Sequence, residues 1–297
     1  MTSPSIGRLR LATRGSPLAV LQAESVAKQL AKAHGGLTVE LVIVETAGDK
    51  NRTDPLRVLG GQGIFAKEIQ RAVLEGDADV AVHSAKDLPS VTPEGLELVA
   101  IPERLDAADV LVGKSLEGLG PGATVATGSP RRAALLQSLR PDLSIVELRG
   151  NMATRLSMPG TNGIDAIVTA RAALIRLQSE SLIGERLDPM VFTPQVAQGA
   201  LALECRYGDA AGELVRVLDL PDAHRCIAAE RAFLSAMGAG CTIPAGAWCV
   251  DVGGTLTIRA VMFNEVEHLL ERHELQGTDP VSLGTSVAQA FSLSERF

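Results

Sequence analysis

The chain has 297 residues, 46% of them hydrophobic and 21% charged, with a formal net charge of −7. That length exceeds one ordinary core and points to two or three soluble globular domains. The acidic balance and an aromatic content of 3% argue against a general nucleic-acid binder, and no apolar run reaches the length of a membrane span.

In chain order, residues 9–12 read as an apolar strand and residues 17–33 as a helix, with Leu18, Leu21, Val26 and Leu30 available for one face. Residues 39–46 make a second strand, and a polar, Gly-rich passage over 47–63 reads as a lid. A helix over about 65–74 and a buried strand over 79–83 follow. The next stretch repeats the style, with strands at 108–112, 124–127, 144–148 and 164–169 and a helix at 130–139. Such alternation predicts mostly parallel sheets covered on both faces. Pro189 and Pro194 break the pattern, and the chain is expected to cross back to the first lobe there. From Asp222 a helix runs to about Met237. Segments 248–252, 255–262 and 268–275 then alternate like an antiparallel sheet with Gly253-Gly254 as a hairpin turn, and a helix over about 280–290 follows.

One pattern occurs twice. A strand-like run ends in Gly15-Ser16-Pro17 and again in Gly128-Ser129-Pro130, each leading into a helix-like run. Ser is placed to cap the helix, and Pro to be its first residue, where a missing N–H costs nothing. Such a start presents backbone N–H groups and the positive end of the helix dipole to an anion. The chain also carries 22 Arg against 6 Lys, and Arg is the better residue for forked recognition of carboxylates. Two similar lobes facing a polyanionic ligand are therefore expected.

Four clusters could carry chemistry. Arg131 and Arg132 sit in the first turn after the second repeat, where cations oppose the dipole unless an anion lies between them. Arg149 and Arg155 flank a Gly-Asn turn at a strand end, either as solvated charges or as ligand contacts. Lys86-Asp87 follow the strand ending at His83; they read as a surface ion pair or as a charge that stabilises a developing cation. Cys241 stands in a loop between Gly240 and Pro244, open either to simple packing or to a nucleophilic or attachment role. The four cysteines lack metal-ligand spacing, so no metal site is predicted and reduced thiols are expected. Gly60-Gly61-Gln62-Gly63 lacks the ending of a phosphate-binding loop. Residues 1–10 lack the apolar stretch of a signal peptide, which points to the cytoplasm.

The segments ATRGSPLA, GGQGIFAKE, VHSAKDLP, GSPRR, LRGNMATRL, QGALALECR and GAGCTIP, in that order, closely resemble the porphobilinogen deaminase family. The resemblance implies an α/β protein of three domains. Two lobes like those of type II periplasmic binding proteins, 1–99 with 200–219 and 100–199, would be joined by a small α+β domain, 220–297, with a three-stranded antiparallel sheet. It implies a dipyrromethane cofactor held by a thioether at Cys241. Onto it four porphobilinogen molecules would be deaminated and polymerised head to tail, releasing hydroxymethylbilane. By the family pattern Ser84, Lys86, Thr127, Ser129, Arg131, Arg132 and Arg155 bind the cofactor. Arg14, Ser16, Arg149, Arg155, Arg176 and Gln198 receive substrate, and Gln62 and Phe65 belong to the lid. Asp87 is the catalytic carboxylate facing the pyrrole N–H groups. The resemblance further implies a monomer without nucleic-acid or membrane partners, whose product passes to the next tetrapyrrole-pathway enzyme. The rival expectation is a non-catalytic, two-lobed protein that binds a small anion.

Overall fold

The computed structural model describes residues 7–46, 63, 66–238, 244–264 and 269–294. Contacts within the chain define two units, Met1–Arg104 with Ala200–Arg225, and Leu105–Gly199 with Cys226–Phe297.

In the first unit β1 (Arg8–Arg14) leads through Gly15-Ser16 into α1 (Pro17–Ala33), and β2 (Thr38–Val44) returns parallel to β1. α2 (Lys67–Leu74) precedes β3 (Val80–Ser84), which runs parallel to β1 on its other side. β4 (Leu96–Ala100) forms an edge. Alternate residues of β1 serve opposite layers, as a strand's two-residue period requires. Leu9 and Leu11 pack with Ala23, Val26 and Leu30 of α1, whereas Ala12 packs with Ile69 and Val73 of α2. Each such leucine, taken fully out of water, contributes about 1.5–3 kcal/mol before conformational entropy is counted.

The second unit carries β5 (Asp109–Gly113), β6 (Thr124–Ala126), α3 (Pro130–Leu139) and β7 (Ser144–Val146). α4 (Met152–Leu156), β8 (Ala166–Ala170), α5 (Arg171–Arg176) and β9 (Ile183–Arg186) follow. The strands are ordered β7-β6-β8-β5-β9, with β5 antiparallel to both of its neighbours. β10 (Leu201–Arg206) then completes the first sheet, in the order β2-β1-β3-β10-β4, again antiparallel to both neighbours. The two sheets thus share one plan. In each, four strands point one way, and the reversed strand lies beyond the stretch that supplies the other four. Sequence patterning does not pick out β4, β9 or β10, whose partners lie far along the chain.

α6 (Ala210–Val215) and α7 (Pro221–Ala236) lead toward β11 (Ala245–Val252), β12 (Thr255–Asn264) and β13 (Leu269–Gly277), an antiparallel sheet. Gly253 and Gly254 both have positive φ, 60° and 85°, which the two-residue turn joining twisted strands demands. α8 (Pro280–Ser294) covers this sheet, with the Phe291 ring 5.9 Å from Phe233 of α7. Val261 of β12 joins Leu111, Leu135, Leu136 and Phe192, so the small sheet and the second five-stranded sheet share a core.

Candidate active site

In the first unit the site residues stand at the carboxyl ends of β1 and β3. These are parallel neighbours, with Leu11 opposite Val80 and Ala12 opposite Ala81, so both strands release their chains at one edge of the sheet. That edge is where open α/β sheets bind ligands. Ser16 adopts φ −70° and ψ 145°, and its hydroxyl accepts the Ala19 N–H at 3.3 Å. Pro17 opens the helix without wasting a donor. The Thr13 hydroxyl donates to the Ala19 carbonyl and ties the strand end to the first turn. Arg14 and Ser16 are half-buried.

β3 ends at the half-buried Ser84, paired across the sheet with Leu201. The chain then makes one tight turn, Ala85–Asp87, closed by the Leu88 N–H on the Ala85 carbonyl at 3.3 Å. Leu88 is extended at φ −72° and ψ 145°, as a residue before proline should be. Lys86 and Asp87 are both half-buried in this turn.

The second unit repeats the helix start. Ser129, at φ −107° and ψ 117°, accepts the Arg132 N–H at 3.4 Å, while Thr127 Oγ1 accepts the Ser129 N–H at 3.2 Å. A Cβ on Gly128 would lie 2.9 Å from the Leu148 carbonyl oxygen, so only glycine lets this turn press against the chain leaving β7. Thr127, Gly128, Ser129, Pro130, Ala133 and Glu147 line an open pocket of 210 Å³ at the start of α3.

The two arginines after this start point inward. Arg131 and Arg132 are 4% and 8% exposed, and the carboxylate of the wholly buried Asp109 lies between them. Arg131 donates to Asp109 Oδ2 at 2.8 Å and to the Thr193 carbonyl at 2.6 Å. Arg132 donates to Asp109 Oδ1 through Nε at 3.0 Å and through Nη2 at 2.7 Å, and to the Val168 carbonyl at 3.1 Å. The anion anticipated between these cations is thus a side chain of the protein. Gln198 is also wholly buried; its amide nitrogen donates to Asp109 Oδ1 at 2.9 Å and to the Ala107 carbonyl at 2.7 Å, and its oxygen accepts from Arg132 at 3.4 Å. Burial alone would push the Asp109 carboxyl up, but the two guanidinium charges and these hydrogen bonds outweigh it and hold the group well below the usual carboxylate range. Two guanidinium groups against one carboxylate leave the cluster with one net positive charge.

Three further arginines named from the sequence belong to the same unit. Arg149 pairs with Glu147 at 2.6 Å, and Arg155 donates to the Gly150 carbonyl at 2.8 Å in the turn capped by Asn151. Arg176 of α5 donates to the Gly199 carbonyl at 2.8 Å. Cys241, Gln62 and Phe65 lie outside the described residues. Cys205, Cys226 and Cys249 are buried; burial, with the charges of Asp209 and Glu97, pushes the Cys205 thiol up to about 12. Among the described residues no group of three or more His, Cys, Asp or Glu could hold a metal ion, and no helix is long and apolar enough to cross a membrane.

Sequence reasoning missed Asp109 and the buried Glu204, which accepts from Gln70 at 2.8 Å. The available signal was a lone acid inside an apolar run, Ala107-Ala108-Asp109-Val110-Leu111 and Leu201-Ala202-Leu203-Glu204-Cys205. An acid in such a run either ends the strand or gathers donors.

The family model for the porphobilinogen deaminase dipyrromethane cofactor binding domain matches residues 9–213, and that for the porphobilinogen deaminase C-terminal domain matches residues 224–292. Porphobilinogen deaminase of Acidothermus cellulolyticus is 43% identical, covering 97% of this chain and 89% of the relative. That of Xanthomonas axonopodis pv. citri is 44% identical, covering 95% and 94%. Among solved structures, a TRAP periplasmic solute-binding protein from Desulfovibrio salexigens aligns with a TM-score of 0.44 at 13% identity, covering 73% of each chain.

Proposed function

Given that the chain belongs to the porphobilinogen deaminase family, we propose that the residues at the carboxyl edges of its two sheets divide one reaction between them. The protein is a transferase of tetrapyrrole biosynthesis. It deaminates four porphobilinogen molecules, joins them head to tail on a dipyrromethane cofactor and releases hydroxymethylbilane. A non-catalytic anion-binding role is not favoured, since relatives matching over most of the chain are named deaminases.

The residues present fit a carboxylate-rich cofactor. Two arginines at a helix start oppose its dipole, and Asp109 cancels only one of their charges. The capped start of α3, opening on a pocket lined by Thr127 and Ser129 and followed in its first turn by residues that keep one net positive charge, favours a carboxylate; this is the observation that carries the assignment. Thr127, Ser129, Arg131 and Arg132 then hold the cofactor's acidic groups from the second unit, with Ser84, Lys86 and Arg155 adding further donors. Cys241 holds the cofactor covalently through a thioether. The cofactor supplies, when bound, the pyrrole carbon on which the product chain is built.

Arg14 and Ser16 at the first helix start, with Arg149, Arg155 and Arg176, receive the acetate and propionate groups of substrate. Gln198 acts on that path through Arg132, to which its buried amide is bonded. By the family pattern Gln62 and Phe65 are assigned to the lid. Asp87 faces the pyrrole N–H groups and stabilises the positive charge that develops as porphobilinogen loses ammonia. The chain works as three functional segments, 1–99 with 200–219, 100–199 and 220–297, in a cytoplasmic monomer that hands its product to the next enzyme of the pathway.

Intact-mass measurement of Asp87→Ala tests this reading. The variant is expected to keep the cofactor's added mass on the peptide containing Cys241 while losing most porphobilinogen consumption. Substantial turnover would remove Asp87 from its role, and an unmodified Cys241 in active protein would remove the thioether.

A further inference from the structure

Outside the residues assigned above, the first unit buries a second polar cluster. Glu204 of β10 is 0% exposed, and its Oε2 accepts from Gln70 Nε2 of α2 at 2.8 Å. His83 of β3, also buried, places Nε2 3.2 Å from the same oxygen. In the β3–β10 register Glu204 stands opposite Ala81 and Ala202 opposite His83, so the acid and the imidazole are diagonal neighbours on one face. Their surroundings are the apolar layer of Ala12, Ile69, Val73, Ala78 and Ala81. A carboxylate there bears a large desolvation cost, and well-packed apolar side chains in its place are often neutral or stabilising.

Register is where such a cluster has a use. A strand with one buried face is aligned by its hydrophobic alternation, but β3 and β10 are buried on both faces, with Val80, Ala81, Val82 against Ala202, Leu203 and Cys205. Apolar contacts alone discriminate weakly between alignments of these two strands. A slip of one residue carries every side chain to the opposite face. The same ladder continues into the catalytic turn, where the Ala85 N–H donates to the Ala200 carbonyl at 3.0 Å, one residue before Lys86.

We propose that Glu204 and His83, joined to α2 through Gln70, are positioning residues that pin the β3–β10 register and thereby place Asp87 for the reaction. The proposal rests on the role given above to Asp87. It differs from plain stabilisation in one respect: removing the whole cluster preserves the fold and damages the chemistry. A misplacement of about 1 Å at a reacting group costs on the order of 10²-fold in rate.

The test uses the cofactor-loaded protein with the combined substitution Gln70→Leu, His83→Leu and Glu204→Met. The expected result is a urea midpoint equal to or above the parent's and cofactor occupancy unchanged by intact mass. Porphobilinogen KM should stay within about threefold while kcat falls at least about tenfold. Should this variant not fold, His83→Leu is measured instead, and is expected to show the same selective loss of kcat. His83→Gln, which keeps a polar group beside Glu204, should recover most of the activity lost in His83→Leu. Parental kcat in a folded variant lacking the cluster, or a loss explained by lower occupancy or raised KM, overturns the proposal. Undiminished turnover in Asp87→Ala would instead overturn the role of Asp87 on which it rests.

Discussion

Replacing Asp109 by Asn should destabilise the second unit more than any exposed charge change. The substitution keeps the shape but removes the charge, so the buried cluster with Arg131 and Arg132 goes from one net positive charge to two. Asp109 accepts four hydrogen bonds from three side chains, at 2.7 to 3.0 Å, and is 0% exposed. Adding about 1.5–3 kcal/mol for each charge-assisted bond would overcount, because the bonds share one carboxylate. Breaking a buried ion pair by removing one partner costs about 3–5 kcal/mol, and that is the expected loss here. With a urea slope near the upper end of about 1–3 kcal/mol/M, the midpoint falls by about 1 M or more. The chain has one tryptophan, Trp248, in β11 of the same unit, so its fluorescence during urea unfolding reads the right part of the molecule. A midpoint within about 0.3 M of the parent would refute the charge argument.

Other outcomes follow from the same geometry. Gly128→Ala would set a methyl 2.9 Å from the Leu148 carbonyl and force the second helix start away from β7. Stability should drop by about 1–3 kcal/mol, with cofactor occupancy by intact mass falling in parallel, whereas full occupancy would show that the turn tolerates the shift. Asp106 tests the acid limb. Burial pushes its carboxyl up, but hydrogen bonds from Arg186, the Ala108 N–H and Arg171 bring it down to about 2. A carboxylate lowered on folding stabilises above its unfolded pKa and loses that contribution as pH falls through its folded value, here from about 4 toward about 2. Its partly exposed pairs are screened, so the effect is modest. The drop in urea midpoint between about pH 5 and about pH 3 should be smaller in Asp106→Asn than in the parent, and equal drops would contradict the assignment. Cysteine titration separates attached from unattached Cys241. Denatured holoprotein should expose the three thiols of Cys205, Cys226 and Cys249, and a fourth reactive thiol would deny the thioether. In native protein the Cys205 thiol, raised to about 12, should resist alkylation at neutral pH.

Local chemistry made much of the architecture legible. Ser16 and Ser129 cap α1 and α3, whose bounds, Pro17–Ala33 and Pro130–Leu139, coincide with the runs read from Ser-Pro and apolar spacing. The Gly253-Gly254 hairpin was equally readable, since few other residues accept two consecutive positive φ values. What escaped depends on distance along the chain. Nothing local to Leu201–Arg206 says that this strand enters between β3 and β4, and alternation carries no information about strand direction. The inward turn of Arg131 and Arg132 was hidden for the same reason. Their partner Asp109 stands 22 and 23 positions earlier, and a pair of arginines at a helix start looks identical in sequence whether it faces solvent or core. The lone acids Asp109 and Glu204 were the overlooked clue.

The late reversed strand of the first sheet, β10, sets a schedule for synthesis. The second five-stranded sheet is made from one continuous stretch, Asp109 to Arg186, whereas the first lacks its reversed strand until Arg206 has been made. Between Ala100 and that point, β3 and β4 each present an unpaired edge, a ready template for the wrong chain. At about 5–20 residues per second the interval lasts on the order of 5–20 s. The five-stranded sheet that begins to leave the ribosome first is therefore the later of the two to be completed, and nascent chains arrested before Leu201 should be the ones that bind chaperones and aggregate.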